Sequence, residues 1–441
     1  MANKLKDASI CNAGCAQKVI TPPIGVSLAG YFHDRVGESV RDDLFAKAIV
    51  LEYEDSRMAL VSLDLINVTE ELTTAAKEFI SQEVGIPAEN VLICATHTHT
   101  GPEVRQSGVV GRSEEWVTGL PRLIADAVKA AADSTFPATL RRGTIEAHGY
   151  AYNRLFRLKD GKEQFGIRGR EDEVVGVAGP IDPELQTLSI VDTDENLRAL
   201  AVHFALHTDV IGGGSANFIS ADWPGEIGKN IAAVYGDDVV TLLLQGTCGD
   251  INHSPHEATH LPRGGEKKAI QLGRALAGAA MCATERAEPM GDLKLTSQVD
   301  VLSIPYYTRD PAFMAEIQAM KAKAEQSSYE KRLIERTESW PYDEKNADVP
   351  VQVMRIGDVG LVALSAEIFV RIGLEIKHFS PAPFTFVVEL ANARVSSYVP
   401  TTDQAERGAY GTQPIVSRWL CADAGRRISD AAVVMLHQLW D

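Results

Sequence analysis

Apolar side chains along this chain fall into short runs separated by turn residues, and several intervening stretches carry the 3.6-residue spacing of amphipathic helices. Residues 45–52 and 58–63 are apolar runs joined by the polar turn Glu54-Asp55-Ser56, the pattern of a hairpin. Residues 69–83 have helical periodicity and stop before Gly85-Ile86-Pro87; residues 90–95 then read as a short buried strand that Gly101-Pro102 breaks. A second helix opens at Ser113-Glu114-Glu115, with a capping residue and acids in its first turn, and runs to about residue 132. Two β-rich runs, 185–192 and 198–206, flank the turn at 193–196. Asp222 is placed to cap a further helix, Pro224 suits its first turn, and the helix reaches about residue 234. A buried strand at 239–244 leads into the glycine-bracketed loop 246–252, strands follow at 359–364 and 384–390, and a last helix spans about 424–439. Two stretches read differently. Residues 156–182, rich in glycine and charge without a sustained period, are expected to form a long loop able to cover a pocket; residues 311–339 are expected to be a charged helical excursion on the surface. The fold class that follows is α/β, with mixed β-sheets flanked by helices.

Composition sharpens this picture by exclusion. With 45% hydrophobic, 23% charged and 7% aromatic residues over 441 positions, the chain can build a sizeable globular core. Forty-three basic against sixty acidic side chains give a formal charge of −17, which repels phosphate backbones and anionic membranes and argues against nucleic acid or polybasic lipid docking. Nothing near the N-terminus reads as a secretory signal or membrane anchor, so the expected location is cytoplasmic and the expected partner a small-molecule substrate. Six scattered cysteines make no disulfide framework, and Cys11 and Cys15 lack the second pair that a metal or redox site would need.

Candidate chemistry centres on Ala-Thr-His-Thr-His-Thr-Gly-Pro at 95–102, which puts His97 and His99 one residue apart where a strand stops. In an extended backbone residues i and i+2 share a face, so both imidazoles can enter one site. Two readings are open here: metal ligation with an adjacent proton carrier, or two rings that hydrogen-bond loop backbone. His207 stands in a similar place, after an apolar β run and before a glycine-rich loop, whereas His203 within that run reads as a core histidine. Glu367 follows strand 359–364 and reads equally as a site carboxylate or an exposed helix-start acid. His253, His256 and His260 share one loop, either as a second metal site or as solvated side chains. Gly-x-Ser-x-Gly, Gly-x-x-x-x-Gly-Lys and Gly-x-Gly-x-x-Gly after a strand are all missing from the sequence, which removes weight from serine-elbow, nucleotide and dinucleotide chemistry.

Together these pieces resemble the neutral, non-lysosomal ceramidase family, zinc-dependent amidases. The run at 95–102 resembles its Ala-Thr-His-Thr-His-Ser-Gly-Pro motif; Asn153-Arg154 resembles its Asn-Arg pair; residues 207–225 resemble its second histidine block; and Gly249-Asp250-Ile251-Asn252 resembles its Gly-Asp-Val-Ser segment. Ala366-Glu367 falls where the family has a Gly-Glu ligand, residues 397–402 resemble its Tyr-Ile-Thr-Thr block, and Tyr410 follows Tyr398 twelve residues on, as it does there. The resemblance covers most of residues 15–415 and implies a ceramidase-like catalytic domain spanning 1–441. It also implies one zinc site at strand ends, held by His97, His207, Glu367 and Tyr398, with His99, Arg154 and Tyr410 at catalytic or substrate-polarising positions. The implied activity is metal-dependent hydrolysis of an N-acyl amide by an activated water, with esterase or lactonase chemistry at the same zinc, or a silent binding scaffold, as alternatives.

Three departures modify that expectation. Asn252 stands where the family carries serine, so an acyl-enzyme step at that position is not expected. The chain ends soon after Tyr410, leaving no room for the C-terminal β-sandwich of the longer enzymes, and it shows no leader of the kind outward-facing members carry. A smaller, soluble amide, ester or lactone is the expected substrate.

Overall fold

The computed structural model describes residues 8–441 except 32, 107–109, 168, 213, 256–261, 308–310, 341–344 and 414–416. Its largest sheet is built from β1 (Ile10–Val19), β2 (Phe45–Tyr53), β3 (Ser56–Leu63), β4 (Val91–Ala95), β5 (Phe136–Glu146), β6 (Glu184–Asp192), β7 (Leu197–Phe204) and β8 (Val240–Gln245), in the order β8-β7-β6-β5-β1-β2-β3-β4, with the two-residue strand Glu288–Pro289 paired to β5 off this path. The hairpin read from the sequence is β2–β3, paired in register from Ala46 with Leu63 to Tyr53 with Ser56. The two ends of the sheet are parallel, β3 with β4 and β7 with β8, and the pairs between them are antiparallel.

Strand parity explains what lies on each face. In β2, Ala46, Ala48 and Val50 pack beneath α1 (Glu70–Val84) and α2 (Glu114–Asp133), while Ile49 and Leu51 turn the other way. Thr69 Oγ1 caps α1 by accepting from the Leu72 amide at 3.2 Å, and Gly85, at φ 75°, ends it in the left-handed conformation glycine tolerates. α3 (Asp222–Tyr235) and α4 (Glu266–Glu285) cover the same face of the other half, over Leu185, Leu200 and Leu243.

The opposite face packs against a second sheet. It contains β9 (Leu295–Pro305), β10 (Asn346–Ile356), β11 (Val359–Leu364) and β12 (Phe384–Val388) in that order, antiparallel except for β11 with β12. Leu361, Ala363 and Phe386 meet Ile49, Leu60 and Leu92 in the core between the sheets. α5 (Pro311–Lys321) and α6 (Ser328–Ser339) are inserted between β9 and β10, and the 311–339 excursion read from the sequence is this pair. α7 (Val370–Phe379) and α8 (Ala424–Trp440) close the outer face of the second sheet through Ile372, Ile376, Ile428 and Leu436. The result is mixed sheets flanked by helices, two β-layers between two α-layers. Among the described residues no helix is long and apolar enough to cross a membrane.

Two expectations need correction. Residues 156–182 are not one unstructured loop: Leu155–Leu158, Glu163–Phe165 and Val174–Val177 form a three-stranded antiparallel sheet, whose short, turn-rich strands leave too few residues for a readable period. Asp222 is not the N-cap of α3. Its Oδ2 accepts from the Val210 and Ile211 amides, each at 2.9 Å, so its carboxylate fastens the loop after His207 to the start of the helix.

Candidate active site

Several strands of the two sheets end at the same place. Isolated bridges Cys94–Ala391 and Gly246–Val388 tie the first sheet to the second there, so the segments following β4, β7, β8, β11 and β12 converge. His97 leaves β4, His207 follows β7, Cys248 to Asn252 follow β8, Glu367 follows β11, and Tyr398 lies beyond β12. Glu367 and Tyr398 pair directly through the two-residue parallel strands Glu367–Ile368 and Tyr398–Val399. Glu367 is thus a site carboxylate rather than an exposed helix-start acid.

His97 and His99 do not share a face through an extended backbone. β4 stops at Ala95, and His97 has φ 69°, a left-handed conformation unfavourable for a residue with a Cβ. The turn still delivers both rings to one site: His99 Nε2 lies 3.4 Å from His97 Nε2, and His207 Nε2 lies 3.1 Å from the same atom. His97, His99 and His207 are buried and form a group able to hold a metal ion.

The tautomers sharpen this. His97 Nδ1–H donates to the Ile66 carbonyl at 2.7 Å and His207 Nδ1–H to the Cys248 carbonyl at 3.4 Å. A neutral imidazole that donates from Nδ1 presents a lone pair at Nε2. Two lone pairs therefore face each other across 3.1 Å, a repulsive contact unless a cation lies between them. Two nitrogens about 2.05 Å from a tetrahedral zinc would be about 3.3 Å apart. Glu367 Oε2, buried and without a hydrogen-bond partner, lies 3.4 Å from His97 Nε2. Burial, and then the proximity of His97, hold His99 and His207 well below the ordinary imidazole pKa, so both are neutral at physiological pH. Burial works against the Glu367 carboxylate, but His97 and Tyr398 outweigh it and bring its pKa down to about 2. Neutral imidazoles, an ionised carboxylate and a phenol fit a zinc ion.

Around this group the remaining side chains are fixed by short contacts. Arg154 Nη2 donates to the Gly249 carbonyl at 2.6 Å and to Tyr398 Oη at 3.2 Å, and its guanidinium stands 5.1 Å from the ring centre of Tyr410. Asp250 sets its position: the Asp250 carbonyl accepts from the Arg154 amide, and its carboxylate ties Asn153 Nδ2 to the Val370 amide at the start of α7, each bond 2.8 Å. The Asn-Arg and Gly-Asp segments are two sides of one clamp. His99 is backed by Gly30, where a Cβ would come 2.4 Å from His99 Nδ1. That Nδ1 stands 3.9 Å from Asp209 Oδ2, and Asp209 accepts a hydrogen bond from Tyr31 Oη.

All eight residues singled out by the resemblance (His97, His99, Arg154, His207, Asn252, Glu367, Tyr398 and Tyr410) line one cavity of about 340 Å³. His203 is a core residue, bonded to the Val387 carbonyl at 3.1 Å and stacked on Phe386. His253 is buried, and His256 and His260 lie outside the described residues; among the described residues, only His97, His99 and His207 form a group of three or more His, Cys or carboxylate ligands. Sequence reading missed Arg105, Asp209, Arg336 and Arg394, which also line the cavity. Asp209, two residues after His207, was within reach of a closer reading; the arginines carry no local signal.

No protein-family model matches the chain, and no curated protein matches it in sequence. Solved structures do match. Neutral ceramidase from Pseudomonas aeruginosa aligns with a TM-score of 0.75 over 98% of this chain and 75% of its own, at 18% identity. A ceramidase complexed with C2 aligns with a TM-score of 0.76 at the same coverage and identity.

Proposed function

We propose that this chain, which has the neutral ceramidase fold, is a metal-dependent hydrolase that cleaves an N-acyl amide bond with water. The observation that carries the reading is the pair of Nε2 lone pairs of His97 and His207 facing each other at 3.1 Å, each ring pinned by a backbone carbonyl at Nδ1. His97, His207, Glu367 and Tyr398 are the proposed ligands of one zinc ion. When bound, zinc supplies Lewis-acid polarisation of the acyl carbonyl and a water of pKa lowered toward about 7.

The chain's own residues account for the rest. His99 accepts the proton of the attacking water at Nε2, and Asp209, 3.9 Å from Nδ1, stabilises the imidazolium that results. His99 then returns that proton to the departing amine. Arg154 and Tyr410 face the same space and stabilise the oxyanion of the tetrahedral intermediate. For Arg154, burial opposes the charge, but Tyr398, Tyr410 and Glu367 raise its pKa and keep it cationic. With Asn252 on the cavity wall in the family serine's place, water attacks the acyl carbon directly.

A panel of N-acyl amides, matched esters and lactones, assayed with and without chelator, tests the reading. Chelator-sensitive turnover that favours amides is expected. Turnover that resists chelation overturns the metal role, and a preference for esters or lactones overturns the amide assignment.

A further inference from the structure

Beyond the proposed ligands, the cavity wall is rich in arginine, and one arginine outside the Arg154 clamp has no ion-pair partner among the described residues. Arg105, Arg154, Arg336 and Arg394 all line it. Arg105 is neutralised by buried Glu103, which accepts from Nε at 2.7 Å and from Nη2 at 2.5 Å. Arg154 is committed to Gly249 and Tyr398. Arg394 differs from both: its Nη2 donates to Ser397 Oγ at 2.5 Å, its guanidinium stands 4.6 Å from the ring centre of Trp419, and no carboxylate among the described residues pairs with it. Burial, and then the charge of Arg105, push its pKa down, and the more distant carboxylates Glu367 and Glu103 only partly offset them. A buried cation without an ion-pair partner costs stability, and an anionic ligand beside it would offset that cost.

We propose that the substrate carries a carboxylate and that Arg394 anchors it, which makes N-acyl amino acids, rather than uncharged amides, the class this cavity takes. The inference rests on the amidase reading above. Ser397 immediately precedes Tyr398, so the anchor stands beside the proposed reaction centre. A guanidinium placed against Trp419 has its orientation fixed, and its planar fork matches a carboxylate bidentately. In the reaction, water adds its oxygen to the acyl carbon, the C–N bond breaks with its electron pair going to nitrogen, and the products are a fatty or short-chain carboxylate and a free amino acid.

The test compares N-octanoylglycine with its uncharged isostere N-octanoylglycinamide on the metal-loaded wild-type protein and on the Arg394→Gln and Arg394→Met variants. Met keeps an apolar stem against Trp419, and thermal denaturation checks that each variant folds. The wild type is expected to favour the carboxylate about ten- to hundredfold in kcat/KM, through KM more than kcat, and the ratio is expected to fall toward one in both variants. Equal kcat/KM for the two compounds in the wild type overturns the proposal and leaves the amidase reading standing. Turnover of neither compound overturns the amidase reading; calorimetric binding then decides the anchor separately. Carboxylate-selective binding that is lost in Arg394→Gln supports it, and binding indifferent to the carboxylate or to the substitution overturns it.

Discussion

Arg154 shows how much a single residue is asked to do. Its side chain is 7% exposed, held by Gly249 and Tyr398, and turned toward Tyr410, so it can meet developing negative charge without reorganising. Replacing it by Gln is expected to lower kcat by about 100-fold or more, since loss of one preorganised oxyanion donor costs that much, with little change in KM; steady-state kinetics on one amide checks this. Gly30 makes a different demand. Its φ of 101° is unfavourable for any residue with a side chain, and an added Cβ would meet His99 Nδ1 at 2.4 Å. Gly30→Ala is expected to displace the His99 ring and to depress turnover while metal content, measured by elemental analysis, stays unchanged. At this scale the sequence was informative where a local run carried the signal, as in 95–102, and silent where distant side chains meet. Arg394 follows no motif, and its place on the cavity wall exists only once distant segments such as Glu103, Ser397 and Trp419 are brought around it.

Elements were legible where one face is buried and the other solvated. The β2–β3 hairpin, α1, α2 and α8 fall within a residue or two of their expected bounds, because amphipathic periodicity acts locally; of the three helices only α1 adds a side-chain cap, from Thr69, and Ser113 makes none at the start of α2. The three-stranded sheet within 155–177 was missed because strands this short bury too little surface to impose alternation. Packing between elements also leaves marks that periodicity cannot show. At Gly14 in β1 an added Cβ would lie 1.9 Å from the Ala131 carbonyl of α2, so the helix rests directly on that strand. Gly14→Ala is expected to destabilise by about 1–3 kcal/mol, seen as a lower chemical denaturation midpoint. His203, in β7, is fully buried, and burial, with the nearby Lys377 charge, lowers its pKa to about 3 against an ordinary 6.5. The unfolded chain therefore binds a proton between those values that the folded chain does not. Stability from this residue is complete above about pH 6.5 and is lost as pH falls toward 3. Thermal midpoints measured from pH 7 to 4 should fall less steeply in His203→Gln than in the wild type.

Taken whole, the molecule builds its site where two sheets meet, and the proposed ligands come from both: His97 and His207 from the first, Glu367 and Tyr398 from the second. A ligand that binds only the folded state adds about 4 kcal/mol at a thousandfold excess over its Kd, so metal removal is expected to lower the melting temperature of the entire chain. His207→Ala should be insensitive to chelator in the same calorimetric scan. The α/β class and the position of the site at strand ends were accessible from the sequence because each strand carries its own apolar run. The facing of two sheets was not, since it depends on which side of each strand meets the other sheet. The central claim is that His97 and His207 hold one metal ion between their Nε2 atoms. Elemental analysis of the purified chain tests it most directly: about one equivalent of zinc is expected in the wild type and a small fraction of that in His97→Ala and in His207→Ala, whereas full zinc occupancy in both variants would contradict the account.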